Sequence, residues 1–86
     1  MTTEEQEILD YVNSCIRAEH GKRLQLDDLY TASGLDSFGL FVSLYDIEDK
    51  YGIFSKVPEG VDPFNCIDWN SLTVRNIVVD KAVPCL

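Results

Sequence analysis

The sequence is poor in the residues on which nucleic-acid binding and membrane insertion depend. Its 86 residues include 7 Lys and Arg against 15 Asp and Glu, which gives a net charge of -8. Because phosphate binding needs clustered cations, this deficit argues against nucleic acid and anionic membranes as partners and favours basic proteins. No window approaches the roughly 18 apolar residues of a spanning helix. The first residues also lack the pattern of a secretory signal, so we expect a cytoplasmic protein.

Cysteine and histidine are scarce as well. Three cysteines, at positions 15, 66 and 85, form an odd number without C-x-x-C spacing, and His20 is the one histidine. This excludes a full disulfide framework within one chain, and a zinc site would need all four side chains to converge. We therefore expect no metal site and reduced thiols, with Cys15 and Cys66 partly packed and Cys85 on a frayed tail.

The short chain also argues against an enzyme. A domain of this size buries only about 60% of the surface that its unfolded chain exposes, so it cannot easily carry a deep pocket with several catalytic groups. There is no G-x-S-x-G motif, and a serine nucleophile would need an oriented base within reach. We expect one domain over residues 1–86, monomeric, with no catalytic residues.

Hydrophobic periodicity predicts an all-α fold, a bundle of three main helices plus one short helix. The first helix is predicted from about residue 3 to 20, with Thr2 or Thr3 in a capping box and Gly21 as its C-terminal glycine. The second is predicted from the cap Asp36 to about Tyr51, with Gly52 as its terminator.

The rest of the chain is predicted as one long loop and two further helices. Residues 22–35 carry regularly spaced leucines and should lie across the core as a lid. Asp62 followed by proline indicates a short helical turn. The last helix is expected to begin after Ser71 or Thr73 and to stop at Pro84. Its apolar stripe extends to Ala82.

The second helix has three kinds of surface. Its core stripe is Leu40, Leu44, Ile47 and Tyr51. Its polar side is predicted as Gly39, Ser43, Asp46 and Lys50. Its remaining side combines apolar and acidic residues and is predicted to bind partners, because exposed apolar patches usually mark interfaces: Phe38, Phe41, Val42, Tyr45, Glu48 and Asp49. Residues 27–52 carry 6 acids and 1 base, and this concentration of acidic charge supports a role for the region in binding partners.

The segment Gly34-Leu35-Asp36-Ser37-Phe38 places a hydroxyl at the first turn of this helix. One interpretation is that Ser37 is only a residue favoured at helix starts. The other comes from a resemblance: the segment resembles the attachment motif of acyl carrier proteins, G-x-D-S followed by leucine or phenylalanine. The run from Leu44 to Ile53 is similar to the family's acidic helix and its aromatic-Gly-Ile ending. Length, acidity and helix order fit too, so the resemblance covers nearly the whole chain.

The resemblance implies a specific fold and function. The fold would be the acyl-carrier bundle, with a long loop between its first two helices. Ser37 would carry a 4′-phosphopantetheine arm, transferred from coenzyme A by a phosphopantetheinyl transferase that recognises Asp36. The arm would hold acyl groups as thioesters for a loading ligase and for downstream acyltransferase or synthase enzymes.

Some positions depart from the family's pattern. Gly39 and Val42 stand where carriers of fatty-acid synthesis commonly have acidic residues, and Phe38 and Tyr45 replace the commoner aliphatic residues. These departures favour a specialised pathway over housekeeping fatty-acid synthesis. An aminoacyl or peptidyl carrier of the same fold and an unmodified helical interaction module remain the alternatives.

Overall fold

Helices account for all of the regular secondary structure of this chain. The computed structural model describes all 86 residues and contains four α-helices, one 3₁₀ helix and no β-strand. In chain order these are α1 (Thr3–Ala18), the 3₁₀ helix (Tyr30–Ser33), α2 (Ser37–Tyr51), α3 (Pro63–Cys66) and α4 (Val74–Val78). The prediction of an all-α fold is confirmed.

The α-helices begin where the sequence places their caps. A side-chain oxygen before each helix accepts a backbone N–H from its first turn, which satisfies a group that has no partner inside the helix. The pairs are Thr2 with Glu5, Asp36 with Gly39, Asp62 with Phe64, and Thr73 with Asn76. Local sequence therefore predicts the caps of α2 and α3, and it includes those of α1 and α4 among two candidates each.

The end of α1 differs from the prediction. The helix ends at Ala18, and His20, not Gly21, takes the left-handed conformation, with φ of 67°. The Gly21 N–H turns back to the carbonyl of Ile16 at 2.9 Å. A Cβ on Gly21 would overlap Ile16 and lie 2.9 Å from Leu35 Cδ2. Glycine is needed at position 21 for close packing, and its predicted role as the helix terminator is wrong.

The segment between α1 and α2 covers the core, as its leucines predict. Leu24 is buried, and its backbone N–H and C=O both bond to the Asn13 side chain, at 2.6 and 2.9 Å. Tyr30 is fully buried, whereas Leu29 is 40% exposed. The lid is therefore fixed by buried Leu24 and Tyr30, by half-buried Leu26 and Leu35 and by the Asn13 amide, and Leu29 is not part of its packed face.

Part of the predicted polar side of α2 is buried. Gly39 and Ser43 are enclosed by the structure, while Asp46 and Lys50 are exposed. The reason is contact with the lid: the Tyr30 hydroxyl bonds to Ser43, and Leu35 packs on Gly39. The expectation of a solvated face is wrong at these two positions.

The C-terminal end also departs from the expected helix. α4 stops at Val78, and Lys81 has a φ of 52°, so the chain turns before Ala82. The Val83 N–H then donates to the carbonyl of Ile53 at 3.0 Å, and Val83 is fully buried. Because residues 82–86 gain their backbone hydrogen bonds from neighbouring segments, the prediction of a frayed tail carrying Cys85 is wrong.

The core forms where α1, α2 and α4 meet. Its 16 buried residues come from α1, α2, α4, the lid, the tail and the segments on either side of α3: Ile8, Leu9, Val12, Cys15, Ile16, Leu24, Tyr30, Leu44, Ile47, Ile53, Ile67, Leu72, Val74, Ile77, Val78 and Val83. None of the helices combines the length and the hydrophobicity that a membrane crossing requires.

Candidate functional site

The start of α2 presents an exposed hydroxyl. Ser37 is the first residue of the helix, and its side chain faces solvent. The residue before it, Asp36, performs the cap: its Oδ1 accepts the Gly39 N–H at 2.8 Å. Because the cap is made by Asp36, helix capping does not account for Ser37, and an external enzyme has access to its hydroxyl.

A short, well-defined turn brings the chain into this site. Gly34 ends the 3₁₀ helix with φ of 83°, a left-handed conformation that favours glycine. Leu35 then packs closely on Gly39, where an added Cβ would lie 3.2 Å from Leu35 Cβ. The glycines on both sides of Asp36 and Ser37 therefore allow the turn and the close approach that set the direction of the helix start.

A buried pair of hydroxyls ties the lid to α2 just below the site. The Tyr30 hydroxyl and Ser43 Oγ are 2.5 Å apart, and Ser43 Oγ also donates to the Leu40 carbonyl at 3.2 Å. Because Ser43 Oγ donates its hydrogen to the Leu40 carbonyl, the Tyr30 hydroxyl is the donor to Ser43. Burial raises the pKa of Tyr30 well above its ordinary value, which keeps this donor protonated. The sequence carries no local signal for this pair, because its members are distant in the chain.

Aromatic rings line the groove between α2 and α3. Phe41 lies 4.4 Å from Tyr45 and 6.1 Å from Phe64 between ring centroids, while Tyr45 lies 5.3 Å from Phe54. Trp69 continues the cluster at 5.0 Å from Phe64 and donates its indole N–H to the Phe64 carbonyl at 3.0 Å. The rings fill the groove so closely that no water molecule fits within it.

The residues predicted to bind partners differ in exposure. Phe38 is 71% exposed and Phe41 38%. Val42 and Tyr45 are half-buried, and Tyr45 is part of the aromatic cluster. Their spacing of three or four residues places them along one side of α2, C-terminal to Ser37.

The two acidic residues of the predicted surface are not equivalent. Glu48 Oε2 accepts the Phe54 N–H at 2.7 Å, so this carboxylate holds the chain after α2. Asp49 is exposed. The exposed acidic side chains at this end of α2 are Asp49 and Asp46, and the sequence pattern places Asp46 on the polar side.

The side chains around Ser37 do not form the apparatus of a serine hydrolase. Asp36 is engaged by the backbone of its own helix. His20 is exposed after the end of α1 and belongs to the connection that leaves that helix. No three His, Cys, Asp or Glu side chains converge in a way that could hold a metal ion.

Comparison of the chain with models of protein families found no match, and neither did comparison with curated proteins or with solved structures. The function of the site therefore has to be inferred from its own residues.

Proposed function

We propose that this chain is a free-standing acyl carrier protein whose Ser37 bears a 4′-phosphopantetheine arm. The observation that supports this function best is the exposed Ser37 hydroxyl at the first position of α2, beside a carboxylate that already caps the helix. A hydroxyl in this position is accessible to a transferase and unneeded by the fold. The arm supplies a terminal thiol that holds acyl groups as thioesters.

The modification step suits the start of a helix. The Ser37 oxygen would form a phosphodiester with the pantetheine phosphate of coenzyme A, the adenosine bisphosphate half would leave, and the serine proton would pass to the transferase. The backbone N–H groups of Ser37 and Phe38 have no protein acceptor. Such free N–H groups and the positive end of the helix dipole favour an anion there.

The remaining surface of α2 would recognise the partner enzymes. Phe38 and Phe41 expose aromatic area next to the attachment point, and aromatic residues are common hot spots of protein interfaces. Asp46 and Asp49 lie further along the helix, within a chain of net charge -8. Such a surface favours basic partners, reached by electrostatic steering. The expected partners are the phosphopantetheinyl transferase, a loading ligase and an acyltransferase or synthase.

The finer fold assignment belongs to the same proposal. The order of a long helix, a long lid, a helix that starts at the serine, a short turn and a capped last helix supports an acyl-carrier bundle. Within this fold an aminoacyl or peptidyl cargo is the second candidate. The 71% exposure of Phe38 favours a third, an unmodified module that grips a protein partner through this face.

Intact-mass measurement tests the proposal. The chain is incubated with coenzyme A and a broad-specificity phosphopantetheinyl transferase, and we expect its mass to increase by one arm. Ser37→Ala should abolish the gain, whereas Ser55→Ala, which alters another exposed serine, should leave it intact. Lack of modification by several transferases, with the chain folded, would overturn the carrier function and favour the unmodified module.

A further inference from the structure

Two of the three cysteines meet where the C-terminal tail crosses the end of α3. Ile67 and Cys85 form an antiparallel bridge. Two backbone hydrogen bonds flank it: the Leu86 N–H donates to the Cys66 carbonyl at 2.8 Å, and the Asp68 N–H donates to the Pro84 carbonyl at 2.9 Å. These bonds hold Cys66 and Cys85 in adjacent segments, although they are far apart in the sequence.

The two thiols are also side-chain neighbours. Cys66 is buried at the last position of α3 and Cys85 is half-buried, and the Cys66 side chain is near enough to perturb the Cys85 thiol. Burial and the Cys66 thiol raise the pKa of Cys85 to about 11, which Lys56 partly offsets. Cys15 lies elsewhere, buried in α1 among core residues.

We propose that Cys66 and Cys85 are a dithiol site that forms an intramolecular disulfide with a small disulfide oxidant such as oxidised glutathione. The thiolate of Cys85, the more accessible sulfur, attacks the oxidant and forms a mixed disulfide, releasing one glutathione thiolate. The thiolate of Cys66 then attacks Cys85 Sγ, the Cys66–Cys85 bond forms, and the second glutathione thiolate leaves. The two cysteines lose two protons and two electrons, and the oxidant is reduced to two thiols. This inference does not depend on the proposed carrier function.

The product would tie the tail to the aromatic cluster. Cys66 ends α3, the helix that carries Phe64, and Phe64 lies beside Phe41 and Trp69. A Cys66–Cys85 bond closes a loop of about 20 residues and restricts the unfolded chain, so the folded state gains stability. Because exchange requires a thiolate, the raised pKa of Cys85 makes the reaction slow at neutral pH and faster as the pH rises.

Mass spectrometry after incubation in oxidised glutathione at mildly alkaline pH tests the site. We expect wild type to lose the mass of two hydrogens and to keep one alkylatable thiol. Trypsin cleavage after Lys56, Arg75 and Lys81 places Cys66 in peptide 57–75 and Cys85 in peptide 82–86. The oxidised protein should yield these two peptides joined, a result that needs no variant to fold.

Matched variants assign the bond and its effect. Cys15→Ser should still form the disulfide, whereas Cys66→Ser and Cys85→Ser should not. In Cys15→Ser, oxidation should raise Tm by at least about 5 °C, as expected for a disulfide that closes a loop of this length. The proposal is overturned if the joined peptides are absent, if stable mixed disulfides with glutathione accumulate on Cys85, or if Cys15 is the residue that pairs.

Discussion

The two ends of α2 differ in what covers them. At the first end Ser37 and Phe38 face solvent, and Phe38 is 71% exposed. Towards the other end Ile47 is fully buried, and the ring of Tyr51 meets Tyr11 edge-on with centroids 5.6 Å apart. Glu48 adds a hydrogen bond to the chain that follows the helix.

The two kinds of surface have different roles: the buried residues hold α2 in place, and the exposed side chains of its first turn are free to contact a partner. The buried side of α2 packs against α1, and the Tyr30–Ser43 hydrogen bond fixes the helix next to its midpoint. The exposed side of the first turn is not needed for this anchoring, because Asp36 caps the helix there and Leu35 packs on Gly39. Apolar area at that turn is therefore available to a partner without cost to the fold. The loss of unfolding free energy on substitution should therefore decrease from the buried positions of α2 to its exposed first turn.

The largest effect is expected from Leu44→Ala, at the buried midpoint of α2. Leu44 is 1% exposed within the core, so its truncation removes packing and leaves a cavity. We expect the free energy of unfolding to fall by roughly 2–5 kcal/mol. Urea denaturation followed by circular dichroism measures it. A loss no larger than that of Phe38→Ala, measured alongside, would contradict the assignment of Leu44 to the core.

A smaller loss is expected from Ser43→Ala, at the link between lid and helix. The change leaves the buried Tyr30 hydroxyl without its acceptor, which costs about 1–3 kcal/mol of unfolding free energy. Tyr30→Phe is the matched control: Ser43 keeps the Leu40 carbonyl as its acceptor, so the loss should be smaller. The same denaturation measurement compares them. If Ser43→Ala is as stable as wild type, the hydroxyl pair does not anchor the lid.

The smallest effect on stability is expected from Phe38→Ala, at the open end. Because the ring is mostly in solvent, the free energy of unfolding should change by no more than about 0.5 kcal/mol. If Ser37 is a transferase substrate, the initial rate of arm attachment should nevertheless fall, as measured by intact mass. Val61→Ala, which truncates another exposed apolar residue at 43% exposure, is the control and should leave the rate unchanged. Destabilisation by Phe38→Ala comparable with that of Leu44→Ala would remove the distinction between the two ends.

Sequence predicted the parts of this molecule that are governed by neighbouring residues. The bounds of α2 follow from the cap at Asp36 and the left-handed Gly52, whose N–H donates to the Glu48 carbonyl at 2.9 Å. The exposed position of Ser37 follows from the same local pattern. At the end of α1 the local rule failed, because His20 takes the left-handed conformation and Gly21 packs against Ile16 and against Leu35 of another segment.

The candidate functional site also has some features that neighbouring residues determine and others that distant segments determine. Its motif and the aromatic residues of α2 can be identified in the sequence, because they lie within a few turns of one helix. The contacts of Phe41 with Phe64 and of Tyr45 with Phe54 could not be predicted, because they depend on how the chain returns to α2 after Gly52. Sequence periodicity reports which side of a helix is apolar, and it does not report which distant segment covers it.

On its own, the amino-acid sequence determined the helical class, the caps and the placement of a hydroxyl at the first turn of α2. Each of these depends on interactions within one or two helical turns. Tertiary structure alone decided that Ser43 is buried under Tyr30, that the C-terminal tail packs instead of extending α4, and that Cys66 and Cys85 become neighbours. The reason is that hydrogen bonds and burial between distant segments outweigh weak local preferences wherever the two compete.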